Sequence, residues 1–208
     1  FSVRLLTLTH QHFCKRSIKL PLAAEQLFSR LKENTIQAYQ PISCGYTHSY
    51  ELKKMSDFRL MEGVIVPPHD DGIAGYRAIL ILHNPSNSYI IRGTNQNLSP
   101  QKRGTMVVLD INAQHEVRSK DPNGRLGSWA GLVWGLGGHP LIKTQWSVEE
   151  VAKKAKDEFI SLCHSILEEN LKTTKQLAVK TDPDLPHKAE ISANSLGSLQ
   201  SSNYLEYG

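Results

Sequence analysis

Apolar and polar positions alternate along the chain with changing period. The segment from Leu22 to Lys32 has apolar residues at helical spacing behind Pro21, which predicts an N-terminal helix laid over a core. Met61 to Val66 reads as a strand that ends at Pro67 and Pro68. Tyr76 to Leu82 is almost continuously apolar, as in a strand buried on both faces. Asn84-Pro85-Ser86-Asn87 has turn chemistry, and Ser88 to Arg92 follows as a returning strand. Together they predict a β-hairpin feeding a central sheet, to which Gly104–Asp110 adds a further strand.

Residues 124–139 carry Gly124, Gly127, Gly131, Gly135, Gly137 and Gly138 with Trp129 and Trp134. Neither a phosphate-binding loop nor a dinucleotide fingerprint is present in that spacing. The segment reads as a loop or short helix packed on the sheet, or as an apolar rim facing lipid. Ser147-Val148-Glu149-Glu150 has the form of a capping box, with Trp146 and Val151 at staple positions. Val148, Val151, Ala155, Phe159, Leu162 and Ile166 continue at steps of three and four, predicting a helix to about Leu171. Lys172–Lys188 reads as a loop, Lys188–Ala193 as a short strand and Leu196–Leu205 as helical. Strand, helix, strand, helix order predicts an α/β fold with a central sheet flanked by helices.

Composition narrows the class. The 208 residues are 39% hydrophobic and 21% charged, which are globular values. The net charge of +4 is dispersed, Lys153, Lys154 and Lys156 being interleaved with Glu149, Glu150, Asp157 and Glu158. With no basic stripe, no nucleic-acid partner is expected. Cys14, Cys44 and Cys163 form neither a disulfide framework nor a metal-ligand spacing, although one disulfide between two of them stays open. Cys163 falls in the predicted helix as a small core residue. No apolar run approaches the ~18–20 residues of a membrane-spanning helix. The first residues, from Phe1, lack the layout of a signal peptide.

Ala193-Asn194-Ser195-Leu196-Gly197 stands between a predicted strand and a predicted helix, where a nucleophile elbow belongs. Small residues at Ala193 and Gly197 let strand and helix approach, and the Leu196 amide lies at a helix N-terminus, where it can donate to an oxyanion. About a hundred residues earlier, an apolar strand ends in Tyr89-Ile90-Ile91-Arg92-Gly93-Thr94. In the order and spacing of these motifs the chain resembles the class 3 (fungal-type) lipases, over roughly residues 60–208.

The resemblance implies an α/β-hydrolase-like domain over 61–208, continuing beyond 208, behind an N-terminal helical extension at 1–60. It implies Ser195 as nucleophile, an oxyanion hole from Thr94 and Leu196, and Gly93 as the residue that lets Thr94 turn inward. It departs from the family at Ala193 and Ser198, where glycines are usual, and at Asn194, where a histidine is usual. A triad also needs a histidine and a carboxylate after the serine. Leu196 to Gly208 contain Glu206 and no histidine, so those members are expected beyond Gly208. His139 and His187, weighed as substitute bases, read better as surface or core histidines.

The function this implies is hydrolysis of carboxylic esters, of lipids or phospholipids, with no metal or organic cofactor. Peripheral contact with a membrane at the substrate interface goes with it. The alternative is a catalytically inactive hydrolase-like module for binding or interaction.

Overall fold

The computed structural model describes residues 13–39, 47–53, 55–72, 75–93, 100–121, 123, 125–135 and 146–181. In chain order these form β1 (Phe13–Ser17), α1 (Ala24–Glu33), β2 (Thr35–Tyr39), β3 (Thr47–Leu52), β4 (Phe58–Gly63), β5 (Val66–His69), β6 (Tyr76–His83), β7 (Tyr89–Gly93), β8 (Thr105–Asp110), β9 (His115–Ser119), β10 (Trp129–Trp134) and α2 (Val148–Thr181). A seven-stranded sheet has the order β1-β8-β6-β10-β4-β3-β2, and a three-stranded sheet the order β5-β9-β7. Every pairing is antiparallel.

From β4 to β10 each successive strand changes sheet, so the chain winds between the two layers as a flattened helix. This is the two-sheet, jelly-roll kind of architecture. It corrects the α/β expectation: no parallel sheet flanked by helices is found among the described residues. Three further expectations change with it. β6 and β7 are not a hairpin, since β6 pairs with β8 and β10 while β7 pairs with β9. The Gly/Trp segment is neither a loop nor a short helix over 129–134 but the buried strand β10 between β4 and β6. The strand expected over 61–66 divides into β4 and β5, and β5 includes both Pro67 and Pro68. Prolines are tolerated there because β5 is an edge strand, and the register of β5 with β9 is broken between Val66 and His69.

The apolar runs acquire a physical reason. On β6, Ile79 and Ile81 join Val107 and Leu109 of β8 and Trp129 and Val133 of β10 in the core between the sheets. The alternate residues Ala78, Leu80, Leu82 and Leu132 are equally buried, on the other face. That face meets helices: α1 packs on β6, and Phe159 of α2 lies with its ring 6.0 Å from Phe58 of β4. Strands covered on both faces read as continuous hydrophobic runs in an antiparallel sheet as well as in a parallel one.

The chain divides into two compact units, Phe1–Cys163 and His164–Gly208. All strands and α1 lie in the first. β4 spans residue 60 and pairs with β3 on one side and β10 on the other. α2 opens with the predicted capping box: the Ser147 amide donates to Glu150 Oε2 (2.7 Å) and the Glu150 amide to Ser147 Oγ (3.3 Å). Up to Cys163 the helix buries Val148, Val151, Ala152, Ala155, Phe159 and Leu162, at ~1.5–3 kcal/mol for each large side chain removed from water. Cys163 is a buried free thiol, and burial pushes its pKa up to about 11. α2 runs to Thr181 rather than Leu171, so the first part of the expected 172–188 loop is helical. In the second unit Ile166 is buried.

Gly131 sits where two large neighbours meet. A Cβ built on it would come within 2.8 Å of Ile79 Cγ2 and 3.1 Å of Trp129 Cζ3. The missing side chain leaves room for the Trp129 indole, whose Nε1 donates to the Val64 carbonyl at 3.1 Å. Gly131→Ala is expected to lower stability by about 1–3 kcal/mol through overpacking, read as a shift in the urea midpoint without a change in slope.

Candidate metal centre

His69 is the last residue of β5 and His115 the first of β9, and the two are direct register partners. Their ring centroids lie 4.3 Å apart. Asp71 lies two residues beyond His69. Its amide donates to the Ile111 carbonyl at 2.8 Å, tying the end of β5 to the turn after β8. Gly72 follows with φ +67°, a left-handed conformation that suits glycine, and its amide donates to Asp70 Oδ1 at 3.1 Å. This turn brings the Asp71 carboxylate back against the two imidazoles.

The donor set is arranged for a cation. His69 Nδ1 is 2.9 Å from the Pro67 carbonyl, and His115 Nδ1 is 2.9 Å from the Ala113 carbonyl. A carbonyl only accepts, so both Nδ1 atoms carry the proton and both Nε2 atoms keep a free lone pair in the neutral ring. Those Nε2 atoms lie 3.6 Å and 3.9 Å from Asp71 Oδ1. One ligand atom from each residue falls within 4.8 Å of the others. Three acceptors face one another, an arrangement that a cation relieves. Two ligands each ~2.0–2.2 Å from one ion are separated by at most ~4.4 Å. The 3.6 Å and 3.9 Å separations satisfy that limit as they stand.

The supporting contacts hold the ligands in place. Arg77, at the start of β6, places Nη1 2.6 Å from Asp71 Oδ2, leaving Oδ1 to the imidazoles. Burial is the main cause that lowers the His115 pKa below the ordinary histidine value, which favours the neutral, ligating ring. Next along β9, Glu116 is buried and turned to the opposite face. It accepts from Arg92 Nε and Arg118 Nε, both at 2.9 Å. Arg92 is its register partner on β7, so this ion pair helps to fix the register that sets His115 opposite His69.

The three ligands, Arg77 and Thr47 line a cavity of about 60 Å³ between the sheets. A single water needs ~10–15 Å³ on such a measure, so there is room for an ion with a small ligand. The remaining walls are apolar, among them Ile79, Ile91, Val117 and Trp129.

Of the site residues read from the sequence, Gly93 ends β7 and is the register partner of His115. Thr94, Ala193, Ser195, Leu196 and Gly197 lie outside the described residues, as do His139 and His187. The strand that ends at Gly93 belongs to the small antiparallel sheet, not to a parallel sheet. No metal is expected from the sequence; the fold brings together His69, Asp71 and His115, whose ligand atoms could hold one. The signal was present as His69-Asp70-Asp71, two ligand types two residues apart at the end of a strand, with His115 opening a later strand. No protein-family model and no curated protein sequence matches the chain.

Proposed function

We propose that this protein is a mononuclear Fe(II)-dependent oxygenase that uses a 2-oxo acid as co-substrate. The observation that carries the reading is the convergence of His69 Nε2, His115 Nε2 and Asp71 Oδ1 at the wall of a largely apolar cavity. Two histidines and one carboxylate on one side of an ion, with the other positions open, is the donor set of non-haem iron oxygenases. Zinc accepts similar donors, but the zinc peptidase motif adds a further carboxylate as general base. Among the described residues no carboxylate lines the cavity apart from Asp71, which is itself a ligand.

His69, His115 and Asp71 would hold the ion against the cavity wall, with the rest of the cavity beside it for co-substrate and dioxygen. When bound, iron activates dioxygen: one oxygen atom enters the 2-oxo acid as it loses CO2, and the other enters a C–H bond of the substrate. The protein's own groups hold the ion, orient the Asp71 carboxylate through Arg77 and keep bulk water away with apolar walls.

The test is turnover without the prime substrate. Purified protein supplied with Fe(II), ascorbate, dioxygen and 2-oxoglutarate should form succinate slowly, and His69→Ala should form none. Metal-loaded protein that forms no more succinate than His69→Ala would contradict the reading.

A further inference from the structure

β7 is an edge strand of the small sheet, and among the described residues it pairs with β9 alone. The Ser88 carbonyl accepts from the Lys120 amide at 2.9 Å, so Ser88, Ile90 and Arg92 turn their main-chain groups toward β9. Tyr89 and Ile91 turn theirs away from it, and two side-chain amides meet them there. The Tyr89 amide donates to Asn84 Oδ1 and Asn84 Nδ2 donates to the Tyr89 carbonyl, both at 2.9 Å. The Ile91 amide donates to Gln101 Oε1 and Gln101 Nε2 donates to the Ile91 carbonyl, both at 2.8 Å. Asn84 Nδ2 also donates to the Gln101 carbonyl at 2.7 Å. The two amides thus occupy the place of a neighbouring strand.

Both side chains are buried, and both lie beside strands of the large sheet: Asn84 follows β6 and Gln101 precedes β8, its partner. They bolt β7 to that sheet. Ile91 faces the metal cavity, and Gly93, two residues on, is the register partner of His115. We propose that Gln101 is a positioning residue for the metal centre, its amide standing in for a strand at Ile91 and so holding the end of β7 that backs His115. The inference rests on the metal centre described above. Arg77 meets a ligand directly, whereas Gln101 acts from behind, through β7 and then β9. Without its amide the buried N–H and C=O of Ile91 lose their partners, and the strand end recovers them only by moving toward water. That movement takes Gly93 away from His115 and loosens the placement of the ring opposite His69.

The experiment compares wild type, Gln101→Met and Gln101→Glu as full chains, with Mn(II) affinity read by electron paramagnetic resonance and folding by circular dichroism. Methionine keeps the length of the side chain and removes both hydrogen bonds. Folded Gln101→Met should bind Mn(II) about tenfold more weakly than wild type, the low end of the ~10–100-fold carried by groups that orient a ligand. A merely structural role would lower the melting temperature and leave the affinity of the folded protein unchanged. Glutamic acid restores both bonds while protonated, its hydroxyl donating to the Ile91 carbonyl, and can only accept once ionised. At this fully buried position the carboxyl titrates well above its ordinary ~4.3. The Gln101→Glu affinity, divided by that of wild type at the same pH, should therefore be highest near pH 6 and fall toward pH 9, the titration of the histidines cancelling in the ratio. Wild-type affinity in folded Gln101→Met, or a Gln101→Glu ratio that does not fall as pH rises, would overturn the positioning role and leave the metal centre standing. Should Gln101→Met fail to fold, the ratio decides alone. Failure of wild type to bind Mn(II) would overturn the metal centre itself.

Discussion

Replacing His115 by alanine is expected to lower affinity for Fe(II) or Mn(II) by more than about 100-fold and to abolish succinate formation. Groups that merely orient a ligand are worth ~10–100-fold in affinity, and a direct ligand exceeds them. Nothing else in the described cavity wall replaces the lost lone pair: Arg77 is a cation, and the other neighbours are apolar or hydroxyl-bearing. His69→Ala should behave the same way, because the two imidazoles face Asp71 Oδ1 at nearly equal distances, 3.6 Å and 3.9 Å. The exposed His48→Ala serves as control and should bind as wild type does. Mn(II) electron paramagnetic resonance measures the free ion directly. A His115→Ala protein that remains folded by circular dichroism and binds Mn(II) with wild-type affinity would remove His115 from the ligand set.

The second large effect is at Arg77. Its guanidinium meets Asp71 Oδ2 at 2.6 Å, and both side chains are mostly buried, at 19% and 13% exposure. Arg77→Ala leaves the carboxylate without this cation and free to rotate away from the imidazoles. Metal affinity should fall ~10–100-fold. Breaking a buried pair also destabilises, by up to ~3–5 kcal/mol in fully buried cases, so the metal-free variant should melt below wild type. Arg77→Lys keeps a point charge without the planar fork and should fall between the two. Calorimetric titration of wild type, Arg77→Lys and Arg77→Ala with Mn(II) gives the order. An Arg77→Ala affinity equal to wild type would mean that Asp71 needs no orienting partner.

These expectations concern residues to which the motif reading gave no role, and the reason is physical. Local signals were legible. Ser147 and Glu150 form the capping box that their spacing announces, and the strands over 76–82 and 105–110 occur where their apolar runs place them. Partner choice was not legible. A run such as Ala78-Ile79-Leu80-Ile81-Leu82 records burial on both faces, and that is consistent with a parallel sheet under helices or with an antiparallel sheet between a second sheet and helices. The observed sheets are of the second kind, so the strand after Asn84 crosses to the other layer instead of returning beside β6.

The Gly/Trp segment misleads for a similar reason. Glycine suggests a loop, yet Gly131 occupies a strand position where two bulky neighbours exclude a Cβ. The site itself was half legible. His69 and Asp71 are two residues apart in sequence, but His115 lies far along the chain and joins them only through the pairing of β5 with β9. That pairing depends on an edge strand containing Pro67 and Pro68, which taken alone argue against a strand.

The most direct test is the coordination sphere. X-ray absorption spectroscopy on protein loaded anaerobically with one equivalent of Fe(II) should show one tightly held ion per chain, with nitrogen and oxygen neighbours at about 2.0–2.2 Å. Multiple scattering should count two imidazoles in wild type and one in His69→Ala, with no sulfur. Iron that fails to bind, or a sphere of oxygen atoms alone unchanged in His69→Ala, would contradict a metal centre built from His69, Asp71 and His115.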